Sequence, residues 1–223
     1  MTQTGRVVMR NNETAFAIMG FFEDGDVGRL TSDMHGKRCP FYDSTVLHTT
    51  PRTESVRSVL PAVLKQLHYH TDAEGFVLVV DSNGSPIHQA VHEQPGGEVR
   101  ACRLCQLRAI RDETLSQLKP RVSSPALKTA IGIAVPTIEA WLLCGVDPHV
   151  SEAVEQMGLE QGLYQYTKSQ LKVELYGTSR PALSHERTCM VKAASRLATN
   201  LGSLQTAFPS GYGALARDLG KWA

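Results

Sequence analysis

Phe76-Val77-Leu78-Val79-Val80 runs directly into Asp81-Ser82-Asn83-Gly84. Five consecutive apolar residues closed by an Asp-rich turn are the pattern of a central parallel strand, covered on both faces rather than one. Working outward, Glu54 to His68 places Val56, Val59, Leu60, Val63, Leu64 and Leu67 at helical spacing. Pro61 is expected to kink that helix or to mark the start of its second half. Further back, the apolar run from Ala15 to Phe22 reads as another buried strand, ended by Glu23-Asp24-Gly25-Asp26. On the other side, Arg103 to Leu118 carries a stripe of Leu104, Leu107, Ile110, Leu115 and Leu118, stopped by Pro120. Ala130 to Val135 is a third buried strand, and Thr137 stands where it would cap the helix opening Ile138-Glu139-Ala140-Trp141.

Strands alternating with helices predict an α/β fold: a Toprim- or Rossmann-like, mostly parallel central sheet flanked by helices. Residues 1–150 would form that core, and residues 151–223 a helical C-terminal extension packed on the same domain. With 223 residues the chain can bury roughly 70% of its unfolded surface, so neither disulfides nor metals are needed merely to fold. The formal net charge is +1, from 23 basic and 22 acidic residues. That argues against simple electrostatic coating of nucleic acid, while an enzyme with an acidic metal cleft can be neutral overall. Five cysteines, an odd number, favour reduced thiols and a cytoplasmic home. The stretch Met1 to Arg10 lacks an apolar signal core, and no apolar run approaches the ~20 residues that span a bilayer. There is no P-loop, G-x-S-x-G or G-x-G-x-x-G, so any ATP-driven activity would come from a partner.

In open parallel sheets, function gathers beyond the carboxyl ends of the strands. Here the first run delivers Glu23 and Asp26, the second Asp81 and Asn83, and the third leads to Glu139. Converging carboxylates suit a hard cation, Mg²⁺ or Mn²⁺, which could activate water against a phosphodiester. The alternative is structural: Asp and Asn form turns, and a helix N-terminus favours an acid such as Glu139. Lys168 and Lys172 could contact phosphates of a nucleic acid, or belong with Arg187, Lys192 and Arg196 to a solvated surface. Trp141 reads as core.

Phe22-Glu23-Asp24-Gly25-Asp26 resembles the glutamate-bearing first motif of Toprim domains, and Val77 to Asn83 resembles their second, a strand ending Asp-x-Asp. The segment Ile133 to Leu143, followed by Lys168 to Lys172 and Tyr176-Gly177, is similar to a bacterial domain of unknown function (the DUF4276 group), related to the nuclease halves of OLD-type proteins. The resemblance implies a metal-dependent nuclease with Glu23, Asp81 and Glu139 as catalytic residues, in an antiphage or plasmid-defence system beside an ATPase partner. A homo-oligomer is left open. Asp24 stands where the family has Gly and Asn83 where it has a second acid, which leaves room for a non-catalytic binding subunit.

A second constellation competes. His88 and His92 lie four apart, nine residues intervene, and Cys102-Arg103-Leu104-Cys105 follows. Two imidazoles and two thiols make a complete tetrahedral zinc set. The alternative places both cysteines as small core residues on their helix and both histidines on a surface loop.

Overall fold

The computed structural model describes residues 10–11, 14–21, 33–34, 37–38, 55–70, 73–82, 84–94, 102–121, 125–146 and 150–222, the first four segments as backbone. Strands β1 (Arg10–Asn11) and β2 (Thr14–Phe21) are followed by a short antiparallel pair, β3 (Asp33–Met34) and β4 (Lys37–Arg38), then by β5 (Gly75–Asp81) and β6 (Lys128–Ala134). The main sheet has the order β1-β2-β5-β6, with β2 parallel to β5 and β5 parallel to β6. Parallel neighbours require crossovers. The first contains helix α1 (Ser55–His70) and the second helix α2 (Arg103–Ser116). The molecule is therefore α/β, as the alternation predicts.

The unbroken apolar runs of β5 and β6 are explained by two covered faces. Phe76, Leu78 and Val80 join Ile131, Ile133 and Val135 against Leu60, Val63, Leu64 and Leu67 of α1 and Leu104 and Leu107 of α2. Val77, Ala130 and Ala134 point the other way, to a second core with Trp141, Leu171, Leu204, Phe208 and Leu215. Each fully buried Leu or Phe contributes roughly 1.5–3 kcal/mol. That second core is closed by helices α3 (Ile138–Leu142), α4 (Glu152–Gln161), α5 (Lys168–Tyr176), α6 (Leu183–Leu197), α7 (Leu201–Ala207) and α8 (Tyr212–Gly220). One close approach is at Gly132, where a Cβ would lie 3.0 Å from Leu215 Cβ and 3.1 Å from the Trp141 ring. Glycine lets α8 and Trp141 sit directly on β6.

Three local expectations change. Helix α1 continues through Pro61, so the proline does not mark a second start; the buried stripe from Val56 to Leu67 carries the helix across it. Helix α2 ends at Ser116 rather than Leu118. Beyond it Arg121 turns back to donate to the carbonyls of Leu67, His68 and Ala73, satisfying acceptors at the end of α1. Thr137 occupies the N-cap position of α3, but its side chain makes no capping bond. Asp81 of β5 takes that role instead.

Candidate metal centres

Strand β5 ends in Asp81, whose side chain is 2% exposed, and the adjacent β6 leads through Val135-Pro136-Thr137 into α3. The Ile138 amide donates to Asp81 Oδ1 at 3.0 Å. Asp81 thus takes the first free amide of α3, which brings it beside Glu139, itself 4% exposed. The turn after β5 is laced to the turn after β6: Ser82 N–H donates to Ala134 O at 2.8 Å, and its hydroxyl to Pro136 O. Gly84, at φ +72, supplies the left-handed residue that lets Ser85 N–H close back on Ser82 O.

Tyr176, near the end of α5, donates its hydroxyl to Glu139 Oε1 at 3.3 Å. Burial, then the charge of Glu139, drives that phenol far above its ordinary pKa, and Asp81 adds to the push. Tyr176 therefore stays a donor to Glu139, with Asp81 within electrostatic reach. Thr137 Oγ1 at the same junction is fully buried and has no hydrogen-bond partner among the described residues. Lys168 and Lys172 stand eight and four residues before Tyr176, one face of α5 at helical spacing, and both are half-buried. Lys168 also lies within electrostatic reach of the buried acid Glu155. Tyr176 was missed as a site residue in the sequence; the i, i+4, i+8 series Lys168, Lys172, Tyr176 is the signal that points to it. Glu23, Asp26 and Asn83 lie outside the described residues.

The His and Cys residues do converge. Cys102 is the N-cap of α2 and Cys105 sits in its first turn, both buried. His88 follows the turn after β5, and His92 lies in a 3-10 turn at Ala90–Glu93. Cys102 Sγ and Cys105 Sγ are 3.5 Å apart, and His88 Nδ1 is 3.4 Å from each sulfur. One ligand atom from each of the four residues falls within 4.8 Å of all the others. The expectation of two surface histidines is only half met, since His88 is 7% exposed while His92 is half-buried. This cluster is a candidate His/Cys metal centre.

Its surroundings orient it. His88 Nε2 lies 3.0 Å from Glu93 Oε1, which leaves Nδ1 facing the thiols. Burial pulls the His88 imidazole below its usual pKa, against the raising influence of Glu93, so the ring is neutral near pH 7. Burial and the neighbouring Cys102 push the Cys105 thiol up to about 11. Arg108, one turn along α2, donates to Glu93 at 2.7 Å and reaches Asp218 of α8 at 3.3 Å. Glu93 and Arg108 carry no sequence signal beyond an acid inside the His–Cys span. A small cavity lined by Ser82, His88, Cys102, Ile133, Val135 and Gly211 separates this cluster from the strand ends. No helix among the described residues is long and apolar enough to cross a membrane. No family model, curated protein or solved structure matches this chain.

Proposed function

We propose that the chain is a Toprim-like, metal-dependent phosphodiester hydrolase acting on DNA or RNA, with Asp81, Glu139 and Glu23 as its catalytic carboxylates. The observation that carries this reading is that Asp81 and Glu139, two buried acids, both lie within electrostatic reach of Tyr176, with Asp81 accepting from the amide that precedes Glu139. Buried carboxylates are costly without a compensating charge. Among the described residues the hydrogen-bond partner of the Glu139 carboxylate is a neutral phenol. The donor set is all oxygen, with the orphaned Thr137 hydroxyl beside it, and fits Mg²⁺ or Mn²⁺. Such an ion, when bound, supplies a water of lowered pKa and neutralises charge on the leaving oxygen.

The rest follows from the chain's own groups. Asp81 holds the start of α3 and thereby fixes where Glu139 points. Tyr176 orients Glu139 through its hydroxyl. Lys168 and Lys172, on the same face of α5, would meet phosphates approaching the acids. Asp26 and Asn83 would complete the oxygen shell alongside Glu23. An ATPase partner in a defence system is part of the same proposal, on the strength of the sequence resemblance. Asn83 in place of an acid favours a second reading, a binding subunit without cleavage. Calorimetric Mg²⁺ and Mn²⁺ titrations of wild type and Asp81→Ala, with cleavage assays on single- and double-stranded DNA and RNA, decide between them. Metal binding with cleavage, both lost in Asp81→Ala, supports the nuclease; metal binding alone supports the subunit. Equal binding by both proteins, or by neither, removes the metal-site reading.

A further inference from the structure

We propose that His88, His92, Cys102 and Cys105 bind one Zn²⁺ in a closed tetrahedral site that clamps the segment after β5 onto the N-terminus of α2. The proposal is independent of the nuclease reading, because none of its ligands belongs to the carboxylate junction.

The separations among His88 Nδ1 and the two sulfurs are close to those of a zinc site, and the His92 ligand atom lies within 4.8 Å of all three. With Zn–S of about 2.3 Å and Zn–N of about 2.0–2.1 Å, a tetrahedron has edges of about 3.8 Å between sulfurs and about 3.6 Å from sulfur to nitrogen. The observed Sγ–Sγ separation is 3.5 Å and both sulfur–nitrogen separations are 3.4 Å. Ligand position follows the chemistry of each residue. The C-x-x-C places both sulfurs at the first turn of α2, where a helix N-terminus favours the negative charge that metal-bound thiolates carry. Mixed sulfur and imidazole donors select zinc over the hard cations that suit the carboxylates.

The second layer is also built. Metal-bound histidines donate their other ring nitrogen to a carboxylate or carbonyl. Here His88 has Glu93 at 3.0 Å on Nε2, and Glu93 is in turn held by Arg108 at 2.7 Å. His92 Nδ1 receives only a long contact, 3.4 Å from the Gln89 amide, which a metal bond readily replaces. A cluster of small apolar cysteines would need none of this.

Four protein ligands leave no open position for substrate, so the ion's role is structural. It would tie residues 88–92 to α2 beside the bond from Arg103 N–H to Ser85 Oγ, at 2.8 Å. Ser85 belongs to the turn that follows Asp81, so the clamp positions the end of β5.

The test uses the full chain purified under reducing conditions. Metal analysis by mass spectrometry is expected to find about one zinc per chain. Exchange into Co²⁺ is expected to give the absorption of a tetrahedral thiolate site. Cys102→Ser should lose most of the bound metal, and Glu93→Ala should weaken zinc about 10- to 100-fold while still folding. Wild-type protein that holds no zinc and gives no thiolate–cobalt spectrum overturns the proposal, whether its thiols are free or joined as a Cys102–Cys105 disulfide. The Co²⁺ spectrum needs no variant, so a Cys102→Ser chain that fails to fold does not obscure the answer. Cleavage and Mg²⁺ titration report on the carboxylates separately.

Discussion

Asp81 holds an amide of α3 through Oδ1 and, in the proposed site, would also contribute its charge to a bound cation. Asp81→Asn keeps the shape and one acceptor but removes the charge, so it should retain the fold and lose divalent-metal affinity; circular dichroism and calorimetry read the two effects apart. Two residues on in sequence, Asn83→Asp adds a negative charge, and if Asn83 joins the proposed site, Mg²⁺ affinity should rise. Tyr176→Phe removes the hydroxyl that meets Glu139 and leaves a buried carboxylate short of a donor. The expected loss is about 1–3 kcal/mol in urea unfolding, smaller if a metal is bound. These side chains were legible to different degrees. Asp81 and Glu139 stand out in sequence because an acid follows or interrupts an apolar run. The bond from the Ile138 amide to Asp81, which sets Asp81 next to the start of α3, does not, because it is a tertiary contact across 57 residues. Thr137 looked like the cap for that same reason: local sequence offers the hydroxyl and hides the competing carboxylate.

Strand β6 shows what an element asks of its neighbours. Gly132→Val would force a branched side chain between Leu215 and Trp141, and overpacking of this kind costs about 1–3 kcal/mol. Chemical unfolding should show a lower midpoint with an unchanged slope. Helix α5 is a different case, since its Lys168–Lys172–Tyr176 face is a matter of charge rather than fit. Reversing both lysines to Glu should weaken nucleic-acid binding and reduce the slope of log K against log salt by about 2, if each contacts one phosphate. An unchanged slope would return them to ordinary surface. The elements themselves were largely readable. Strands β5 and β6 announce themselves by unbroken apolar runs, and α1 by its period. The His–Cys spacing was visible too, but not its geometry, since residues 88–92 approach α2 only after the chain has folded back.

At the scale of the whole molecule, Asp218 ties the last helix to α2. It is 4% exposed and receives Arg108, Arg111 and Lys221. Burial alone would raise its carboxyl, but the charges of Arg108, Arg111 and Lys221 and the Lys221 bond outweigh it and hold the group below the usual range. A depressed acid contributes stability above its unfolded pKa, about 3.9, and loses it as pH falls through the folded value. Asp218→Asn removes the charge that these cations meet and should therefore lower stability near pH 7. The gap from wild type should close as unfolding is repeated in increasingly acid buffer. The arginine side of this network was not legible, because Arg108 and Arg111 lie more than a hundred residues from Asp218 with no periodic signal between them. The placement of α8 on β6 also bears on how the protein is made. Synthesis is sequential, whereas the face of β6 at Gly132 is covered by a helix that begins at Tyr212, 80 residues later. A nascent chain therefore leaves the Leu215 side of the Gly132 face uncovered, open to protease and to chaperone, until α8 emerges.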